Sequence, residues 1–469
     1  VFLLVLTTHP AAAAAGAELE RFLAAYLAAD AAHRPELVET FRRAQEGRGG
    51  FPIRDADGSV SFVWFGQPGT REVRLLGDFA RRDAGAFAWD PEGLSMTRAG
   101  DVFHLGLRLE PDARLDYLFM VDGTPRPDPL NPRRNFSVAA NAEASVLAMP
   151  AHRPHPATEP RSEVPRGRIV EVDADWASPR VRVYLPPGHA PNRSYPVLLT
   201  SDGEQWIERI RLPAMLDHLL AEGAIAPLLA AMIDAPPDRE SWHLYNPDYL
   251  AHLRRVVAHV DMHLGGHPHP RARVHAGTAS GARAALYAGL EAPDSVSGLA
   301  LLSPSLVAPI HHLEPWLSGR RTPDPGLRVW MSAGTYEGYV ASDTRTLHAW
   351  FERNRIHPVT LWLHQGHGIG AWREAAVAML QHHFPPTLDL EDLAPRAEVP
   401  TAAPVAIPAA APAGEGPVAP EAPESGTLEG PRDSTGNSGD GGAPAEPSAH
   451  REAGAEDEAE DRESEVEHD

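Results

Sequence analysis

The period of apolar and polar positions changes three times along this chain, and each change marks a different kind of element. Between Ala17 and Gln45 the apolar residues of "LERFLAAYLAAD" and "PELVETFRRAQ" recur at three- and four-residue spacing, which is the period of an α-helix. Pro35 suits the first turn of the second of two helices, so residues 17–47 are predicted to be a helical segment. From Phe51 to Pro150 the period falls to two. "SVSFVWFG", "EVRLLGDF", "VFHLGLRL" and "LDYLFMVDG" alternate and are separated by Gly, Pro and Asp, which predicts a small β-sandwich over residues 48–150. A Pro-rich linker, "AHRPHPATEPRSEVPRG", covers 151–167. From Arg168 to Pro385, short apolar runs such as "YPVLLTSDG", "RVHAG", "GLALLSP", "RVWMSAG" and "VTLWLHQG" take turns with helical stretches. That rhythm predicts an α/β domain, a mostly parallel sheet with helices on both faces. Beyond it, residues 386–469 are Ala, Pro, Gly and Glu with hardly an aromatic, so a disordered acidic tail is expected.

Composition narrows the chemistry more than the fold. At 469 residues, two or more domains are expected. The formal net charge is −22, but Arg396 to Asp469 hold 18 acidic residues against 4 Arg, so the rest of the chain carries only −8. A basic surface for nucleic acid has no support, and the partner of the acidic tail is not named by its sequence. The chain has no Lys, which excludes Schiff-base chemistry and a P-loop lysine. It has no Cys, which excludes disulfides, a thiolate nucleophile and a zinc–cysteine site. Nothing calls for a cofactor. The opening "VFLLVLTTHPAAAAAGA" has the form of the end of a secretory signal, over residues 1–16, without an initiating Met or a basic start. A periplasmic or secreted protein follows if it is one, and a cytoplasmic protein if it is not. No later run has the roughly 18 uncharged apolar residues that a membrane span requires.

The chemistry centres on "RVHAGTASGARAALYAGLEAP", residues 273–293, which reads as strand, tight turn of small residues, then helix. An α/β-hydrolase holds its nucleophile on such an elbow, and an acid and a histidine follow it along the chain at later strand ends. Glu337 in "SAGTYEGY" follows the strand "LRVWM", with Asp343 as a nearby rival carboxylate. His367 in "HQGHGIGAWREA" follows "VTLWLH".

Two resemblances add to this reading. "VRLLGDF", "WDPEGLSMTRAGDVFHLGLRL", "LDYLFMVDG", "DPLNP" and "SVLAMP" resemble the immunoglobulin-like domain that precedes the catalytic domain of some bacterial esterases. "VLLTSDGEQW", "MIDA", "LALLSPS", "SAGTYE" and "GHGIGAWR", with the elbow, resemble the enterochelin-esterase and esterase D family across nearly the whole α/β domain. The resemblance implies an α/β-hydrolase fold, a small-molecule ester ligand and a Ser–His–carboxylate mechanism. The family elbow is Gly-x-Ser-x-Gly-Gly before an Ala-Ala-Leu-Tyr-Ala-Gly-like helix. Counting back from "AALYAG" (284–289) puts Gly277 and Gly281 on the flanking glycines and Ala279 on the nucleophile. A slip of one residue makes Ser280 the nucleophile, but it sets Thr278, Ala282 and Arg283 where small residues belong. With Ala279 at the elbow, Ser280 supplies an oxyanion N–H, and the loop of Asp202, Gly203 and Glu204 supplies the other. The stretch "RESWHLYN" departs again. It keeps Arg239 and Asn246 but has Trp242 and His243 where the family pattern has Glu-Leu, so altered ligand contacts at the pocket rim are expected.

Other chemically suggestive residues have plainer readings. Ser303 and Ser305 read as turn formers. "HPHP" (267–270), His311 and His312 lack the spacing of a metal site and read as solvated loops. Trp64 and Trp89 suit core packing or sugar stacking. Three functions follow: an esterase-like fold that has lost or reduced hydrolysis and acts as a binding or regulatory relative; a working esterase using Ser280; or a carbohydrate- or surface-binding protein acting through its β domain.

Overall fold

The computed structural model of the chain describes residues 14–79, 89–306 and 323–391. The signal-like start up to residue 13, His311 and His312, and the acidic tail from residue 392 lie outside the described residues. Helices Ala14–Ala28 and Arg34–Glu46 form a hairpin, with Pro35 in the first turn of the second. Phe22 and Phe41 stack at 4.1 Å between ring centroids, and Phe65 and Phe51 close around them edge-on. The strand Ser59–Phe65 explains this arrangement. Its period of two sends Val60 and Phe62 into the space between two sheets, and sends Val63 and Phe65 to the helices.

The two antiparallel sheets make a sandwich. Strand Ser59–Phe65 lies between Ile53–Arg54 and Val102–Arg108 in one sheet, while Arg114–Val121 lies between Val73–Gly77 and Ala142–Ala148 in the other. Leu75, Leu115, Tyr117, Phe119 and Leu147 face Val60 and Phe62 across the core. Both tryptophans are packing residues. Trp64 meets Phe119 edge-on at 5.2 Å, and Trp89 is buried with its indole N–H donated to Asp78. The sugar-stacking reading therefore loses its two aromatic platforms.

The α/β domain is built on eight strands: β1 (Arg168–Glu171), β2 (Val181–Leu185), β3 (Val197–Ser201), β4 (Leu229–Ile233), β5 (Arg273–Thr278), β6 (Gly298–Leu302), β7 (Arg328–Gly334) and β8 (Val359–Leu363). They lie in the order β1-β2-β4-β3-β5-β6-β7-β8, with β1 and β2 antiparallel to their neighbours and the rest parallel. Every residue of β3, β4, β5 and β6 is buried, as continuous apolar runs between two helical layers must be. Helices α1 (Gly203–Glu208), α2 (Leu212–Ala221) and α7 (Ile369–His383) cover one face. Helices α3 (Arg239–His243), α4 (Pro247–Leu264), α5 (Ser280–Glu291) and α6 (Tyr339–Arg353) complete the domain, with α4 and α5 in the core of the other face. This is an α/β-hydrolase fold behind a β-sandwich, and reacting groups in such sheets gather at the carboxyl ends of the parallel strands.

The β-sandwich rests on that same end of the sheet. The Arg114 N–H donates to the His364 carbonyl at 3.0 Å, and Tyr336 hydrogen-bonds Glu110. His364 meets Asp112 at 2.6 Å, the Asp78 carboxylate packs on Gly366, and the Arg209 guanidinium lies 4.0 Å over the Phe136 ring. The loops after β7 and β8 are therefore held from outside their own domain.

Candidate functional site

The turn between β5 and α5 is the tightest feature of the sheet's carboxyl end. Ala279 sits at its apex with φ 50° and ψ −120°, a strained backbone for a residue with a side chain. Its N–H donates to Leu302 and its carbonyl accepts from Ser305, so the end of β6 clamps the turn. The residues two before and two after it have no room for a side chain. A Cβ on Gly277 would lie 2.1 Å from the Gly281 carbonyl oxygen, and one on Gly281 would lie 2.8 Å from an Asp202 carboxylate oxygen. Ser280 is one residue further on, the first residue of α5, where its N–H has no acceptor within the helix. Gly203 opens α1 in the same way, after Asp202 in the left-handed region at φ 62°. Glu204 is exposed.

The Ser280 side chain faces the "RESWH" segment. Its hydroxyl is 3.4 Å from His243 Nδ1, and His243 Nε2 is 3.9 Å from Asp202 Oδ1. Arg239 holds Asp202 through two bonds of 2.6 and 2.7 Å. Arg283, buried in α5, donates to Glu240 at 2.7 Å and to the His243 carbonyl at 3.3 Å. Burial pulls the His243 imidazole down to about 4. Burial opposes the charge of Glu240, yet bonds from Arg283 and Ser280 hold its carboxyl below the usual range. The two departures in the sequence are thus one structural unit. The bulky Arg283 after the elbow is accommodated because α3 brings a carboxylate and a carbonyl to it.

The acid and histidine lie on the neighbouring strand ends. Glu337 is wholly buried, and one of its oxygens is 3.5 Å from His367 Nδ1. The same oxygen accepts a 2.6 Å bond from the Ser303 hydroxyl, which in turn accepts from the Trp372 indole N–H at 3.0 Å. The Trp372 ring stands edge-on to His367 at 5.2 Å, which fixes the imidazole plane. Ser303, at φ 49°, is therefore more than a turn former: it joins the end of β6 to Glu337 and α7. Asp343 is buried on α6, where burial pushes its carboxyl up to about 7. Glu337 is the carboxylate whose ion-pair contact reaches His367.

The remaining sequence-predicted residues are distributed as follows. Arg239 is tied to Asp202 beside the elbow. Trp242 packs edge-on against Tyr249 and His252 at 5.6 and 6.0 Å, so it is a packing residue of α3 on α4 rather than a rim contact. Asn246 caps α4 by accepting from the Asp248 N–H, and Ser305 meets the Tyr339 hydroxyl at 3.0 Å. His267 and His269 accept main-chain N–H bonds in their own turn. No group of three or more metal-ligating side chains occurs among the described residues, and no described helix is long and apolar enough to cross a membrane. Sequence reasoning missed Ser303 and Trp372 as supports of the acid–histidine pair. It flagged His243 only as a departure, and its contact with Ser280 spans 37 residues of chain.

An elbow after β5, an acid after β7 and a histidine after β8 define the α/β-hydrolase class. Residues 177–379 match the family model described as "Putative esterase". The fold is also that of the enterochelin esterases. Ferric enterobactin esterase from Salmonella typhimurium superposes with a TM-score of 0.59 at 20% identity, covering 71% of this chain and 95% of that one. The enterobactin esterase from Shigella flexneri, solved in the presence of enterobactin, gives 0.57 at 20% identity over 69% and 92%. A further structure of enterochelin esterase from Shigella flexneri gives 0.56 at 20% identity over 70% and 94%.

Proposed function

We propose that this chain is an esterase-fold protein whose nucleophile position is occupied by Ala279, so that it holds a small-molecule ester or ester-like ligand without hydrolysing it efficiently. The observation that carries this reading is the backbone of Ala279. The strained φ and ψ of a nucleophile elbow fall on it, between two glycines that the turn cannot do without. Alanine has no group to attack a carbonyl, and loss of a nucleophile costs many orders of magnitude in rate. What persists would still recognise an ester: the N–H groups at the starts of α1 and α5, and the Glu337–His367 pair. A role as a binding or regulatory relative of the esterases fits that remainder.

A second reading has one observation in its favour. Ser280, His243 and Asp202 lie in a line, at 3.4 and 3.9 Å, and could form a relocated relay with Ser280 as nucleophile. Against it, Ser280 is 4% exposed and His243 is held near pKa 4, too weak a base for neutral pH. Hydrolysis of p-nitrophenyl butyrate by wild type, Ala279→Ser and Ser280→Ala separates the two. We expect background turnover in wild type and in Ser280→Ala, and a gain of about a hundredfold or more in Ala279→Ser. Wild-type turnover that vanishes in Ser280→Ala would overturn the leading reading.

A further inference from the structure

A large cavity lies away from the elbow. It occupies about 1070 Å³ between the N-terminal helical hairpin, the β-sandwich, the segment around Pro150–Glu159 and the first turns of α7. None of Ala279, Ser280, His243, Glu337 or His367 lines it. Its volume is at the upper end of the range for small-molecule sites, about 300–1,000 Å³.

Its charge runs against that of the chain. The chain carries −22, yet eight arginines line this cavity against four carboxylates, leaving four positive charges. Three of those carboxylates are already engaged. Glu18 pairs with Arg48, Glu159 lies 3.3 Å from Arg211, and Glu374 lies 3.3 Å from His152. Arg48, Arg114 and Arg134 are paired with Glu18, Asp116 and Glu143, but the other arginines are held differently. Arg54 donates to the carbonyls of Ala148 and Gly49, Arg153 to those of Pro150 and His152, and Arg373 to that of Arg209. Among the described residues none of these three, nor Arg21 or Arg133, has a carboxylate within 4 Å. Main-chain carbonyls fix a guanidinium in place without cancelling its charge. Burial, then the nearby cation of Arg133, lowers the Arg54 guanidinium, and burial, then Arg211, pulls Arg373 down to about 10. These groups are repelling one another around an open space.

We propose that this cavity is a second binding site, distinct from the hydrolase centre, for a small molecule carrying two or more phosphate groups. Guanidinium forks bind phosphate oxygens in paired hydrogen bonds, and several forks converging from different elements suit a tetrahedral group better than a planar one. A linear triphosphate brings three to four negative charges to the five arginines that have no carboxylate partner among the described residues. Arg54 and Arg373 form the half-buried floor, while Arg21 and Arg133 are exposed at the mouth.

Calorimetric titration of the full chain with sodium triphosphate, ATP and citrate tests this. We expect triphosphate to bind with a Kd of about 100 µM or tighter, and citrate at least tenfold more weakly. Arg21→Gln combined with Arg133→Gln, both at the mouth and without structural bonds, should weaken triphosphate at least tenfold while leaving the melting temperature of the free protein unchanged. Ala279→Ser should bind triphosphate like wild type, so the result stands apart from any outcome of the esterase assay. No heat with triphosphate, affinity untouched by the double variant, or citrate binding as tightly as triphosphate would each overturn the proposal.

Discussion

The two halves of the hydrolase site have been treated in opposite ways. The acid–histidine half, at the ends of β7 and β8, keeps its groups buried and closely supported. Ser303 and Trp372 hold Glu337 and His367 from within the domain, and the sandwich holds their loops from without through Arg114, Glu110 and Asp78. The elbow half, at the end of β5, combines a tight strained turn with a cluster of charged and polar side chains from α3. Ala279 stands at the apex, Ser280 faces His243, and Arg283 and Glu240 tie the arrangement down. The difference teaches that shape and chemistry are stabilised by different residues. Gly277 and Gly281 permit the turn by leaving space, and that steric demand is separate from the side chain at the apex. The acid–histidine pair is held from within by Ser303 and Trp372, while the loops that carry it are separately held by the sandwich.

The sharpest way to break this comparison is to restore the nucleophile and ask which histidine serves it. In the Ala279→Ser background, His367→Ala should remove about a thousandfold of the regained turnover, and His243→Ala should leave most of it. Loss through His243 and not His367 would mean that the acid–histidine half is the vestige and the elbow half the working one.

The next effect concerns protons. His243 is neutral in the fold, with its imidazole at about 4 against an ordinary 6.5. A depressed value means that the unfolded chain binds the proton first. The stability this residue contributes is therefore full above pH 6.5 and is lost as pH falls toward 4. Between pH 7 and 5, wild type should lose more stability than His243→Gln by on the order of 2 kcal/mol, read from urea midpoints. His275, fully buried with its ring at about 3, gives both proteins a shared acid sensitivity that the difference cancels. Parallel curves for the two proteins would show that His243 is not held as neutral as its burial requires.

How far this molecule could be read from its sequence depended on the range of each interaction. The alternation of strands and helices and the run of small residues at the turn are local patterns. The small residues Gly277 to Gly281 followed by "AALYAG" carry a steric argument within a dozen residues, and the tight turn with positive φ at Ala279 lies within that stretch. The chain order of Glu337 and His367 likewise follows from two strand ends. What escaped was whatever bridges distant segments. Ser303 looks like any serine after a strand, and only the fold brings it to Glu337, 34 residues on. Nothing local in "RESWH" says that Glu240 answers Arg283, or that Trp242 turns away to Tyr249. The arginine-lined cavity was invisible for the same reason. Its charges come from six separate stretches of a chain whose total charge has the opposite sign.

The smallest test bears on whether the elbow half is one unit. Arg283 is buried, but its partner Glu240 is largely exposed, so water screens part of their attraction. Removing the carboxylate leaves a buried cation with only carbonyl partners, whereas removing both charges leaves none. Glu240→Ala should therefore cost about 1 kcal/mol at pH 7, and the double change with Arg283→Met should restore part of it. The same pair should also govern Ser280, whose hydroxyl shares Glu240 with Arg283. If denaturation shows the single changes to be simply additive, Arg283 and Glu240 are independent neighbours. The departures at the elbow and in α3 would then be two separate events rather than one reconstruction.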